Sequence, residues 1–344
     1  MNRKAGSSEF DGDWLREAMD LRPQTPDGRS GKISVTSEVQ PAGKVLEAVS
    51  MRNAIFMGQA PCRVRFDEDL TYRHLRHDDR GEWMSDSAQE IYQCREPINA
   101  IRKLGNCELL IGGLGLGCYS AIALGMTDAR VTTVEIDRHV IELVGEHVRD
   151  HKIRIDRGPF HRVVRGCIYK HAKQMAAGRY DAAILDTWQP TGEMCWVTEV
   201  IPLRRIVRPK VAVVFCWNEQ EMIGQFRMGV CRKLLFNASE LPIHDTHYRT
   251  IRAVAQHEGL VGQGFTMDAA KATGFDSILM ESAKLENDPK VQQLVNAFCQ
   301  DIGSPEWEQR FGRFWDQAAA EPKSGTKRKC KPRKQANERK GAMM

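Results

Sequence analysis

The run Cys107-Glu-Leu-Leu-Ile-Gly-Gly-Leu-Gly-Leu-Gly-Cys-Tyr119 sends an apolar stretch straight into Gly113, Gly115 and Gly117. Glycines there let the backbone turn sharply and approach a ligand with no Cβ in between. A helix that follows offers unpaired N–H groups at its start. The spacing is Gly-x-Gly-x-Gly, because position 118 is Cys, and no Gly-Lys-Ser/Thr follows. Neither the dinucleotide fingerprint nor the phosphate loop is met. A tight structural turn accounts for the same spacing. About twenty residues on, as in nucleotide-binding α/β units, Val131-Thr-Thr-Val-Glu-Ile-Asp137 ends a second apolar run in acids. An acid at the tip of a second strand is placed to accept hydrogen bonds from both ribose hydroxyls. Glu135 suits that role, since Asp137 is positioned to cap the helix after it.

A third run, Tyr180-Asp-Ala-Ala-Ile-Leu-Asp186-Thr-Trp-Gln-Pro190, delivers Asp186 and then Trp188 at the end of a strand. The carboxyl edge of an open α/β sheet is where ligands bind. A carboxylate there can take a proton from, or orient, an attacking amine. Trp188 can stack on a ring or shut out solvent. A strand-end Asp closing a turn is the structural alternative.

These residues need elements to hold them. Lys32–Val39, Cys62–Phe66 and Leu70–Leu75 alternate polar and apolar, with a turn at Asp79-Arg-Gly81, and predict short antiparallel strands. From Ser87 the period lengthens. Ile91, Ile98, Ile101 and Leu104 suit one helix face, stopped by Gly105-Asn106. Then strands are expected at 107–111, 130–134, 161–164, 180–185 and 211–217, with helices at 118–124, 138–148, 168–177 and 197–207 between them. Such alternation means a mainly parallel sheet covered by helices on both faces. Beyond Glu219 the pattern is helical, at 220–235, 248–256, 288–299 and 306–320. The polar lead-in carries a short helix over 13–21.

With 42% hydrophobic and 28% charged residues, the chain reads as an ordinary globular protein. No apolar run approaches the roughly 20 residues needed to span a bilayer, and Met1–Trp14 lacks the apolar core of a signal peptide. No membrane association is expected, and the location expected is cytoplasmic. The ten cysteines form no Cys-x-x-Cys pair and read as free thiols. Lys323–Met344 holds nine Lys/Arg against one Glu, a surplus above the +5 of the whole chain. The remainder is therefore mildly acidic, and the positive excess lies in one tail. That tail is a candidate for nucleic acid contact through phosphates, or a solubilising segment. His244, His247 and His257 lack a convincing third ligand, so no metal site is expected. Trp307, Phe311, Phe314 and Trp315 recur at helical spacing and read as core.

Gly112-Gly113-Leu-Gly115-Leu-Gly117, Val134-Glu-Ile-Asp137, Tyr180-Asp181 with Leu185-Asp186, and Leu203–Pro209 before a strand together resemble class I S-adenosylmethionine (AdoMet)-dependent methyltransferases. More narrowly they look like the spermidine synthase-like, polyamine aminopropyltransferase-like branch. Tyr92-Gln93 and the β-rich segment before the core agree, and the likeness covers about residues 60–217. It implies a Rossmann-like α/β fold with a doubly wound, mainly parallel sheet. A small N-terminal β-hairpin domain and a helical C-terminal extension flank it. The divisions expected are a disordered lead-in (1–30), a β-rich domain (31–86), an AdoMet-binding domain (87–236), a mostly helical extension (237–322) and a basic disordered tail (323–344).

By the same resemblance Gly113, Gly115, Gly117, Glu135, Cys167 and Gln93 would bind the cofactor, and Asp186 and Trp188 would face the acceptor. The departures shift the reading. Gly115 stands where the aminopropyltransferases carry Asp, Gln189 replaces the second Asp of their Asp-x-x-Asp loop, and Cys167 replaces the acid near the adenine. Losing carboxylates weakens attraction for a polycation. The expectation is therefore an AdoMet-dependent methyltransferase of unassigned acceptor. The alternatives are an aminopropyltransferase using decarboxylated AdoMet, and a catalytically degenerate protein associated with nucleic acid. Whether the chain forms a homodimer stays open.

Overall fold

The computed structural model describes residues 9–49, 62–150, 161–188, 196–236 and 246–320. Gln189, His244 and the basic tail 323–344 lie outside them.

Helix α1 (Glu9–Asp20) opens the described chain. Strands β1 (Gly28–Ser30), β2 (Ile33–Gln40), β5 (Leu70–His77) and β6 (Gly81–Ser85) form an antiparallel sheet in that order, and β3 (Val45–Val49) pairs with β4 (Cys62–Arg65) as a separate hairpin. The expected disordered lead-in does not hold from Glu9 onward. Leu15, Ala18 and Met19 are buried in the same core as Ile33, Val35 and Leu75. The short helix expected over 13–21 is present, begins at Glu9 and turns Leu15, Ala18 and Met19 to this core.

The lead-in is also locked by charge. Asp86, 1% exposed, pairs with Arg22 at 3.1 Å and Arg73 at 3.3 Å. Arg22 donates to the carbonyls of Met19 and Thr71, and Arg73 to that of Thr25. The Asp86 carboxylate further accepts the Arg73 backbone N–H at 2.6 Å. These bonds offset the large cost of desolvating the three charges.

The long helix expected after Ser87 is divided into α2 (Ala88–Gln93) and α3 (Arg95–Leu104). Ile91, Ile98 and Ile101 are buried, but Leu104, the last residue of α3, is 43% exposed. Five parallel strands follow: β7 (Glu108–Gly112), β8 (Arg130–Glu135), β9 (His161–Arg165), β10 (Ala182–Leu185) and β11 (Val213–Cys216). Their order is β11-β10-β7-β8-β9. Helices α4 (Cys118–Met126), α5 (Arg138–Asp150), α6 (Ile168–Gln174) and α7 (Ile201–Val207) connect them. This is a Rossmann-like, doubly wound α/β fold.

Both faces of the sheet are covered, so its strands are apolar throughout. Leu109, Ile111, Ala182 and Ile184 face the core made with α1, α3, α4, α5 and the N-terminal sheet. Their neighbours Leu110, Ala183 and Leu185 face a second core. That second core continues without a break into α8 (Glu219–Leu234), α9 (Thr246–His257) and α10 (Pro289–Cys299), and into the helical turns from Pro305 to Ala320. Trp307, Phe311 and Trp315 are buried in it, as is His247, which lies against Trp196, Phe226 and Tyr248. Arg205 reaches Glu308 through two 2.7 Å bonds and fastens the last helical turns to α7. No helix among the described residues is long and apolar enough to cross a membrane.

Replacing Asp86 by Ala leaves two arginines facing a buried void. Chemical denaturation should show a loss of about 3–5 kcal/mol; a change within 0.5 kcal/mol would mean that the network does not hold the N-terminal sheet in place.

Candidate functional site

Strand order reverses at β7, whose neighbours are β8 on one side and β10 on the other. The chain leaves β7 toward β8 and β9, then returns to place β10 on the opposite flank. The helices after β7 and β10 therefore diverge, and a crevice opens at the carboxyl edge between them.

The glycine run occupies this edge. Gly113, Gly115 and Gly117 have φ of 93°, 51° and 79°, values that a side chain tolerates poorly. Space is as restrictive as torsion. A Cβ on Gly113 would sit 1.9 Å from the Asp186 carbonyl oxygen, and one on Gly115 would sit 2.2 Å from Met84 Sδ. Gly113 and Gly115 line the crevice, whereas Gly117 is buried between Val148 and Pro23 where α4 begins. Its role is to let that helix pack.

Glu135 ends β8 and is 8% exposed. One carboxylate oxygen accepts the Leu114 N–H of the glycine loop at 2.8 Å, and the other accepts the Asp137 N–H at 2.8 Å. Burial pushes its pKa up, against the lowering effect of these backbone donors. Asp137 in turn accepts the His139 N–H at 2.8 Å at the start of α5, the capping role expected of it. Between the acids' backbones, Ile136 is 68% exposed and lines the crevice beside Cys167 and Ile168. Cys167 is the N-cap of α6.

The crevice has a volume of about 840 Å³, within the range of small-molecule sites. Asp186 and Trp188 form its wall after β10. Trp188 is buried and donates its indole N–H to the Trp217 carbonyl at 3.3 Å, so its ring is fixed by β11. The Asp186 backbone N–H reaches the Gly112 carbonyl at 2.8 Å. The side chain of Asp186 makes no hydrogen bond or ion pair with the described residues. Enclosure pushes its pKa up to about 8, helped by the charges of Glu90 and Glu135.

The N-terminal sheet roofs the crevice. Leu75, His77, Trp83 and Met84 line it from above, with the His77 and Trp83 rings stacked at 5.1 Å. Met84 Sδ accepts the Leu116 N–H at 3.2 Å, tying the roof to the glycine loop. Gln93, expected at the site, ends α2 and is not among the residues that line the cavity; its Oε1 is buried and has no hydrogen bond among the described residues.

One acid escaped the sequence reading. Glu90 lines the crevice from α2, and burial pushes its pKa up to about 7. Ser87-x-x-Glu90 has the form of a helix capping box, which hides it. The structure departs from that box. Ser87 makes no side-chain cap, and Glu90 Oε1 instead accepts the Ser85 N–H and Oγ–H, both at 3.2 Å.

No family model and no curated protein match the sequence. Similarities to solved structures are low. A Pyrococcus horikoshii protein provisionally described as an RNA methyltransferase is 16% identical, over 39% of this chain and 60% of that one, with TM-score 0.30. An arsenic(III) S-adenosylmethionine methyltransferase from Chlamydomonas reinhardtii is 18% identical, over 31% and 35%, with TM-score 0.25. A precorrin-6y C5,15-methyltransferase from Geobacter metallireducens is 12% identical, over 36% and 57%, with TM-score 0.26. The chain thus spans about three fifths or less of each protein's length. Likeness at this level says nothing of activity.

Of the raised carboxyls of the site, Glu90 and Asp186 set a pH dependence. Unfolded, both ionise near pH 4. Folded, Glu90 and Asp186 keep their protons to about 7 and about 8. From about pH 4 upward the folded protein holds protons that the unfolded chain has released, so stability falls until about pH 8 and then levels. Urea unfolding of the wild type should lose at least about 1 kcal/mol between pH 5.5 and 8.5, and Asp186→Asn should reduce that loss. An equal loss in the variant would show Asp186 to be ionised throughout.

Proposed function

We propose that the crevice binds an AdoMet-type nucleoside and that the protein is an AdoMet-dependent methyltransferase with a spermidine synthase-like arrangement. The observation that carries this is Glu135. A buried carboxylate stands at the switch point, tied to a glycine loop on one side and to the backbone before α5 on the other. Its two oxygens accept the Leu114 and Asp137 N–H groups, and the acceptor capacity that a carboxylate has beyond those bonds suits a vicinal ribose diol.

The other residues fit the same ligand. Ile136, exposed as a flat apolar face beside Cys167 and Ile168, suits a purine ring. Gly113 and Gly115 let the rest of the ligand lie against the main chain. AdoMet, when bound, supplies a methyl group activated by sulfonium charge. The protein's own contribution is then positioning, which supplies most of the catalysis in an in-line displacement. The glycine loop and Glu135 hold the nucleoside, Trp188 and Trp217 keep water from the reacting end, and Asp186 takes up or orients the acceptor proton.

A second reading, aminopropyl transfer from decarboxylated AdoMet, is favoured by the wall's charge. Five carboxyl groups (Glu90, Glu135, Asp137, Asp186 and Glu199) line the crevice against one guanidinium, Arg80. A ligand without a carboxylate suits such a wall. Gly115 in the glycine loop argues the other way.

Calorimetric titration should therefore show micromolar binding of AdoMet, weaker binding of the decarboxylated form, and at least about tenfold weakening by Glu135→Ala. The reverse preference would establish the second reading. No binding of either nucleoside would end both.

A further inference from the structure

The edge of the sheet beside the crevice is basic. Residues 151–180 hold eight Lys/Arg against one acid, Asp156, in a body that is otherwise net negative. Among those on described elements, Arg162 and Arg165 stand exposed on β9, and Lys170 and Lys173 stand exposed on α6. None of these four makes an ion pair with the described residues. Among the described strands β9 pairs only with β8, which makes it an edge of the sheet.

The basic strip adjoins the cavity. Gly166, Cys167, Ile168 and Tyr169 line the crevice, and Arg165 and Lys170 bracket that segment. Arg165 is the register partner of Glu135 across the two strands. From there the charge continues along α6. Burial pushes the His171 pKa down, and the positive charge of Arg162 adds to the effect. Lys210 brings a further cation, its Nζ donating to the carbonyls of Ala172, Lys173 and Met175 at the end of α6.

Ordinary structural causes account for part of this. Charges on an edge strand deter pairing with another chain, which covers Arg162 and Arg165. A helix dipole favours cations in the last turn, which covers Lys173. Neither covers Lys170, in the first turn of α6, or the repulsion between lysines three positions apart on one helix face. A polyanion relieves that repulsion. The large exposed hydrophobic side chains are Val39, Val45, Leu104, Ile136 and Met280, and none belongs to β9 or α6. A membrane surface or a folded protein partner calls for apolar anchors at the contact, whereas a phosphodiester chain does not. The crevice next to the strip is lined by five carboxyl groups and by the rings of Trp83, Trp188 and Trp217. Phosphate is repelled there, and an uncharged base is not.

We propose that the β9–α6 edge binds the phosphodiester backbone of a single-stranded nucleic acid, with Arg165 and Lys170 holding it at the crevice mouth so that one unstacked base enters. This rests on the methyltransferase reading above and names its acceptor class, a nucleobase. Enzymes that act on a base take it out of the stack, and a single strand offers the base without the cost of unpairing. Phosphate contacts of this kind position a strand without reading its sequence.

The test is fluorescence anisotropy on the full chain with a labelled oligonucleotide of mixed sequence, in ribose and deoxyribose forms, each single-stranded and as its duplex. The single strand should bind more tightly than the duplex, and the two sugars tell which polymer is preferred. Replacing all four cations, by Arg162→Gln, Arg165→Gln, Lys170→Gln and Lys173→Gln, should weaken binding at least about tenfold and reduce the slope of log affinity against log salt by about 3. The melting temperature and AdoMet affinity should not change, because these side chains are exposed and stand outside the crevice lining. If that variant melts lower, Lys170→Gln with Lys173→Gln keeps the test, at about half the change in slope. Ultraviolet crosslinking with mass spectrometry should place contacts within residues 161–173.

An unchanged salt slope in the variants, or crosslinks confined to 323–344, would assign binding to the basic tail and overturn the proposal. Tighter binding of the duplex would overturn it too. So would equally tight binding of polyglutamate, or of vesicles made from equal parts phosphatidylserine and phosphatidylcholine. Failure of AdoMet to bind the wild type would instead remove the nucleoside reading, while the anisotropy would still report on the basic edge.

Discussion

The site depends on one carboxylate reaching two backbone N–H groups. Glu135 ends β8, yet it holds Leu114 in the loop after β7 and Asp137 ahead of α5. It thereby couples two crossover connections of the sheet. Burying the charge is costly, and the backbone donors offset part of the cost. The glycine loop is also held by the Gly113 N–H on the Val134 carbonyl, the Gly117 N–H on the Leu114 carbonyl and the Leu116 N–H on Met84. Once that loop is placed, Gly113 sits against the Asp186 carbonyl, and the end of β10 is placed as well.

Closure of the site comes from the N-terminal sheet. Met84 lies over Gly115 and takes the Leu116 N–H, so a Cβ at position 115 would push the roof away. The roof is held at its inner end by Arg22, Asp86 and Arg73. At its outer end Ser30 on β1 meets Glu142 and His139 on α5, at 2.5 and 2.7 Å. The crevice is thus a product of both parts of the chain. Its chemistry follows from enclosure: carboxyls that would be unremarkable on a surface hold protons near neutral pH here, because few donors and almost no cations reach them.

Much of this was legible in the sequence. Strand positions were visible because a sheet covered on both faces demands unbroken apolar runs, as in Leu109–Ile111 and Ala182–Leu185. Gly113, Gly115, Glu135, Cys167, Asp186 and Trp188 all line the crevice, since each sits at or just past a strand's carboxyl end and the topology carries every such end to one edge. Gly117 was recognised by spacing, but spacing does not say which glycine meets ligand and which meets Val148. Gln93 is not among the lining residues, and a helix end gives no sign in the sequence of which way it points.

By itself, then, the sequence determined the alternation of strands and helices, and with it the edge on which chemistry would gather. Local patterns of two and 3.6 residues are enough for that. Only the tertiary structure decided that α1 belongs to the core, that the N-terminal sheet covers the crevice, and that Glu90 stands with Asp186. Those facts rest on contacts between residues up to about a hundred positions apart, and a capping-box pattern reads the same whether its glutamate caps a helix or faces a cavity. Enclosure, which sets the proton affinity of both acids, exists only when the parts are assembled.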